Sequence, residues 1–353
     1  MLKILPYLKL CVEKDGSDLF FTANAPAQIK VEGELYPIGK SPLTREFIRE
    51  LACGILTPEQ QAYLKQNLEI DLATEAGGLG RFRVNVFHQR GALGMVMRYV
   101  RSQVPRLDAI PGMPPALKSL IAQKRGLILM VGATGSGKST TLAAMINHRN
   151  ETQAGHILTI EDPIEFIHPN QRSIVNQREV GQDTVSYERA LRSSLREAPD
   201  VILVGEVRTR ETMNACIQLA NTGHLAISTL HANNAYQALQ RVVNLYPDDL
   251  REQLYMDLSL TLRAIVSQRL VRRPDGRRVA AMEVMINTPF IQDLILHKRV
   301  DEIPGAMEQS SDQDMQTFDQ SLLRLYRQGE ISLDEALAGA DSRTNLEAKI
   351  NFG

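Results

Sequence analysis

The sequence predicts an α/β chain in which a parallel-sheet domain follows a smaller α+β domain. Three observations carry this expectation. Four short apolar runs alternate with helical segments through the middle of the chain. The first of them feeds into a glycine-rich loop, "VGATGSGKSTTLAAM" at 131–145. A proline-dense stretch separates this region from a first hundred residues of different rhythm.

In that first part, "DLFFTA" and "QIKVEGELYPI" read as strands with a turn at Gly33. "TPEQQAYLKQN" opens with Thr57, Pro58 and Gln60, an N-cap, a first-turn proline and a capping-box partner, so it reads as a helix. "RFRVNVFHQ" sets Phe82, Val84 and Val86 on one face and Arg81, Arg83 and Asn85 on the other, which is a half-solvated strand. "ALGMVMRYV" can pair with it across Arg90-Gly91. The expected N-terminal α+β domain covers 1–100. "RSQVPRLDAIPGMPPALKSL", at 101–120, holds four of the sixteen prolines and reads as a linker or hinge.

The apolar runs are "LILMVG", "HILTIED", "VILVGE" and "HLAISTLH". Each is rich in Ile, Leu or Val and too short for an ordinary helix. Such strands between helices indicate a parallel sheet covered on both faces. The parallel-sheet domain is expected over 121–287, and a helical region, including "MQTFDQSLLRLYRQG", over 288–353.

Composition narrows the function. The formal net charge is -1, with no basic stripe, which speaks against a nucleic-acid partner. Apolar runs fall far short of the ~20 residues that span a bilayer, and "MLKILPYLKL" does not read as a signal peptide, so a cytoplasmic chain is expected. Cys11, Cys53 and Cys216 are scattered, suggesting neither a disulfide framework nor a zinc site.

The loop matches G-x-x-x-x-G-K-[ST] through Gly132, Gly137, Lys138 and Ser139, after a strand and before a helix. Glycines let backbone N–H groups turn inward toward phosphate oxygens, and the following helix adds its positive end. The residues expected to cradle the phosphates of a nucleotide, ATP if the family resemblance below holds, are Gly132, Thr134, Gly135, Ser136, Gly137, Lys138, Ser139 and Thr140. Lys138 would reach the β/γ-phosphates, and Ser139 would ligate Mg²⁺.

Two later strands end in carboxylates. "DVILVGEVR" places Gly205 where such a strand often carries a magnesium-binding Asp, and Glu206 follows it. "ILTIEDPIEF" supplies Glu161, Asp162 and Glu165. In an open parallel sheet these strand ends converge on the phosphate loop. "TGHLAISTLH" places His231 at another strand end, where an imidazole could meet a γ-phosphate or the attacking water.

With these segments assembled, the chain resembles the secretion and type IV pilus motor ATPases, and most strongly the retraction (PilT/PilU) branch. "GATGSGKST", "TIEDPIEF", "DVILVGEVR" and "TGHLAISTLH" match the family's four boxes in order. The resemblance implies a RecA-like ATPase domain preceded by a PAS-like domain. It implies that Glu165 activates the water, that Glu206 holds Mg²⁺ beside Ser139 and Glu161, and that His231 senses the γ-phosphate. It further implies a homo-hexameric ring in which arginines of the N-terminal domain, here Arg83 and Arg98, complete the site.

The four-cysteine element of assembly and type II secretion relatives is absent. "PFIQDLILHKRV" differs from the "AIRNLIRE" segment of the primary retraction motors, so the likeness points to an accessory motor. The partners this implies are a paralogous retraction ATPase and an inner-membrane pilus platform protein, with recruitment to the inner face of that membrane. A low-turnover nucleotide-binding ring subunit that scaffolds the motor is the other reading.

Overall fold

A computed structural model describes residues 3–31, 33–100, 104–310, 312 and 314–352. The chain divides into two units, Met1–Gln103 with Glu165–Ile167, and Val104–Ile164 with His168–Gly353.

The first unit runs α1 (Leu5–Glu13), β1 (Asp18–Phe21), β2 (Ala27–Val31), β3 (Glu34–Ile38), α2 (Arg45–Cys53), α3 (Pro58–Asn67), β4 (Glu69–Ala76), β5 (Gly80–Gln89) and β6 (Ala92–Val100). Its six strands form one antiparallel sheet in the order β3-β2-β1-β6-β5-β4. Alternation builds the core: Leu19, Phe82, Val84, Met95 and Met97 point to one face and pack with Leu8, Ile48, Leu51 and Leu64 of the three helices. Arg83 and Arg98 lie on the opposite face. The β5–β6 hairpin turns through Arg90 (φ 47°) and Gly91 (φ 73°), two positive angles whose twist matches the strands they join. Thr57 and Gln60 make the expected reciprocal cap on α3.

The second unit contains α4 (Ala116–Ile121), β7 (Gly126–Val131), α5 (Lys138–Thr152), β8 (Gly155–Glu161), β9 (Ser173–Glu179), α6 (Tyr187–Ser194), β10 (Val201–Val204), α7 (Arg210–Asn221), β11 (Leu225–Leu230), α8 (Ala235–Val243), α9 (Arg251–Thr261), β12 (Leu262–Arg272) and β13 (Arg278–Ile286). Five helices follow: α10 (Pro289–Leu296), α11 (Ile303–Glu308), α12 (Phe318–Arg327), α13 (Leu333–Gly339) and α14 (Arg343–Phe352). The seven-stranded sheet has the order β13-β12-β7-β11-β10-β8-β9, parallel except for β13.

The central strands are apolar throughout because both faces are covered. In β7, Leu127, Leu129 and Val131 enter one core with α7, α8 and α9, whereas Ile128 and Met130 enter another with α4 and α5. A third cluster joins Val271, Val279 and Ala281 to Phe318, Leu322 and Leu346 of the C-terminal helices. Three strands lie outside the four apolar runs. β9 is an edge that alternates, β13 closes the other edge, and β12 carries Ser267, Gln268 and Arg269 in its middle.

The proline-dense stretch is partly a packing element. Leu107, Leu117 and Leu120 are buried against the second unit's sheet. Its first three positions, 101–103, lie outside the described residues.

Candidate active site

The parallel register decides which residues meet at the C-terminal edge of the large sheet. Val131 of β7 is level with Leu230 of β11 and Ser267 of β12, and Val204 of β10 with Ile160 of β8. The next residue on each strand is Gly132, His231, Gln268, Gly205 and Glu161. These emerge along one rim, where an open α/β sheet binds its ligand.

Gly132 to Gly137 then turn into α5. Gly137 caps the helix at φ 87°, and a Cβ there would stand 2.8 Å from Gln268 Nε2. A Cβ at Gly132 would stand 2.5 Å from the Gln268 carbonyl oxygen and 2.6 Å from Ser136 Oγ. Thr134 and Gly135 form the exposed tip, while Ser139 and Thr140 are half-buried on the first turn of α5. Lys138 Nζ donates to the carbonyls of Gly132 (2.7 Å) and Ala133 (2.9 Å), which draws the amine over the mouth of the loop. Ser136 Oγ is buried without a hydrogen-bond partner. An orphaned hydroxyl, glycines that leave no room for side chains and a helix N-terminus together suit a phosphate group. Two clefts of about 490 and 340 Å³ flank the loop and share Gly132, Ala133 and Asn233.

The ends of β8 and β10 are neighbours, since the two strands pair in parallel. Gly205 N–H donates to the Ile160 carbonyl, which fixes Glu206 beside Glu161. Glu161 accepts from Thr159 Oγ1 at 2.6 Å. Glu206 is the hinge of the cluster: Arg208 Nη2 lies 2.9 Å from one carboxylate oxygen and His231 Nε2 lies 3.3 Å from the other. Burial, and then the charges of Asp162, Glu161 and Glu206, push the Tyr187 phenol well above its ordinary pKa, so the tyrosine stays protonated among them. Its hydroxyl also explains Gly205, because a Cβ at 205 would stand 2.6 Å from it. Among the described residues no group of three or more His, Cys, Asp or Glu is arranged to hold a metal. Ser139, on the first turn of α5, and Glu206, just past β10, are oxygen donors of the kind Mg²⁺ takes, an ion that uses few protein ligands and completes its shell with phosphate and water.

The other predicted residues belong to the first unit. Glu165 is exposed, and Glu165–Ile167 group with that unit. Arg83 and Arg98 face each other across β5 and β6, and Arg98 Nε donates to the buried Asp18 at 2.8 Å.

Sequence reasoning missed the polar triplet of β12. Ser267 Oγ donates to Glu283 Oε1 at 3.0 Å, and the same oxygen accepts Ala235 N–H at 2.7 Å, capping the helix that follows the His231 loop. Arg269 stacks on the Phe318 ring at 3.9 Å, donates to the Gly339 carbonyl at 2.9 Å and pairs with Asp341 at 2.6 Å. It also reaches the Asn233 carbonyl at 3.4 Å. Three consecutive polar residues inside "AIVSQRLV" were the available signal.

Glu283 carries a pH consequence. Burial raises its pKa from 4.5 to about 7; the two hydrogen bonds oppose this, and more weakly the charge of Asp341 raises it while that of Arg269 lowers it. Between those values the folded chain keeps a proton that the unfolded chain has released, so stability falls as pH rises from about 4.5 to about 7. Glu283→Gln should remove that slope. Urea unfolding at pH 5 and pH 8 should show the variant gaining about 2 to 3 kcal/mol on the parent. Parallel curves at both pH values would refute the assignment.

Residues 61–301 match the model of the type II/IV secretion system protein family. The chain belongs to that family. It is 52% identical over 347 residues to the type IV pilus ATPase PilU of Pseudomonas aeruginosa, covering 98% of this chain and 91% of that protein. It is 41% identical over 333 residues to the type IV pilus retraction ATPase PilT of the same organism, covering 94% and 96%. A crystal structure of the pilus retraction motor PilT with bound ADP superposes with a TM-score of 0.91 at 38% identity, covering 98% of both chains. The α/β fold expected from the sequence, a RecA-like domain preceded by a small α+β domain, is borne out, the small domain being built on an antiparallel sheet, and the resemblance to pilus retraction motors holds over nearly the whole chain. The family segment takes in the phosphate loop, both acidic strand ends, His231, Arg83 and Arg98. No helix among the described residues is long and apolar enough to cross a membrane.

Proposed function

We propose that the chain is an ATP-hydrolysing subunit of a type IV pilus retraction motor, acting beside a paralogous retraction ATPase. The observation that carries this is an intact phosphate loop facing two acidic strand ends in a chain 52% identical to PilU. Lys138 and the loop N–H groups bind the triphosphate. Ser139 and Glu206 hold Mg²⁺, with Glu161 nearby, and the ion offsets charge on the phosphates. His231, tied to Glu206, reports the state of the γ-phosphate to the acidic cluster. Glu165 orients the attacking water.

The working form is a homo-hexameric ring at the cytoplasmic face of the inner membrane, gripping the pilus platform protein. In it, Arg83 and Arg98 of one subunit serve the site of the next. An arginine supplied in this way is worth ~10³–10⁵ in rate. Mixtures of Lys138→Ala and Arg98→Ala subunits should therefore recover turnover that neither has alone. Mixtures as inactive as their parents at every ratio would sink the shared-site arrangement. The function itself is tested by steady-state ATP hydrolysis of the purified chain, with and without the paralogous motor, and by twitching in cells carrying either or both. Nucleotide binding without turnover under all conditions would favour a scaffolding ring subunit instead.

A further inference from the structure

The phosphate loop is held partly by bonds of its own. Among its internal bonds are the Ser136 N–H to the Ala133 carbonyl at 3.2 Å and the Lys138 amine on two carbonyls, a contact for which an incoming phosphate would compete. Support from outside the loop keeps its N–H groups convergent. The neighbouring strand provides it by length: β12 has eleven residues and β7 has six, so β12 continues past Val131 and runs alongside the loop.

Gln268, the first residue of that overrun, is 2% exposed and touches the loop at both ends. Its carbonyl oxygen occupies the space beside Gly132 and its Nε2 the space beside Gly137. Its Oε1 accepts from Thr141 Oγ1 at 2.7 Å, a buried bond between residues 127 positions apart. One residue thus ties the entry of the loop, its exit and the first turn of α5 to a strand that takes no part in the motif. We propose that Gln268 is a positioning residue of the nucleotide site, holding the phosphate loop open in its anion-binding shape through Thr141 and the flanks of Gly132 and Gly137. This rests on the reading of the site as a nucleotide site but goes beyond it, since the sequence motif ends well before β12.

The test uses the full chain and a fluorescent ADP analogue. Gln268→Met keeps length and packing and removes the carboxamide. Thr141→Val removes the hydroxyl, and Thr141→Ser restores it. Gln268→Met and Thr141→Val should each raise the dissociation constant of the analogue about tenfold, the scale of one lost buried hydrogen bond. Thr141→Ser should stay near the parent, and urea midpoints should not track the loss. In ATP turnover KM should rise by the same factor while kcat changes less.

Unaltered affinity in Gln268→Met would overturn the proposal. So would an affinity loss that simply follows a lost folded fraction, or a failure of Thr141→Ser to bind. A parent chain that binds the analogue but never hydrolyses ATP would overturn the motor reading and leave these affinities to decide the role of Gln268. A parent chain that binds no nucleotide would end both.

Discussion

Lys138→Ala should cut ATP turnover by about 10³-fold, the upper range for removing one preorganised donor from developing phosphate charge. The amine already lies over the loop, 2.7 and 2.9 Å from two neutral carbonyls, so it needs little movement to exchange them for phosphate oxygens. Bonds to a charged acceptor are roughly twice as strong as those it gives up. Lys138 opens α5, and alanine is the better helix former there, so the urea midpoint should hold. Steady-state hydrolysis and fluorescent ATP binding, measured together, check this. Turnover within tenfold of the parent would mean that the loop does not hold the reacting phosphates.

Glu165→Gln should separate binding from chemistry. The side chain is exposed and outside all four apolar clusters, so the substitution leaves packing unchanged. Removing a group that orients or deprotonates the attacking water costs about 10²–10⁴ in rate. The variant should bind ATP as the parent does and turn it over at that reduced rate in a single-turnover assay. Normal turnover would shift the role to Glu161 or Asp162, the other carboxylates of the same segment.

The two units were unequally legible in the sequence. Where chemistry is local, spacing was enough: Gly137 and Lys138 are adjacent, Thr57 and Gln60 are three residues apart, and Arg90-Gly91 is itself the turn. The four central strands were legible because burial on both faces forces continuous apolar runs. β12 was not, because its polar residues Ser267, Gln268 and Arg269 interrupt the apolar run even though the first two are buried. The Gln268–Thr141 bond, like the Arg98–Asp18 pair, joins residues far apart in the chain, and only the strand register shows that they meet. Gly205 stands where an aspartate is common in such strands, and the Tyr187 hydroxyl that fills the space beside it could not be placed from sequence.

The contacts of Arg269 make the carboxyl end of the chain part of the wall around the phosphate loop. Its guanidinium reaches Asn233 on one side and Gly339 and Asp341 on the other. A purification handle, a fluorescent fusion or a truncation that disturbs the last dozen or so residues would therefore loosen a residue lining the cleft. Leu346 of α14 is held in the same cluster as Val271, Val279 and Ala281, so the seating of that helix and the position of Arg269 are coupled through β12 and β13.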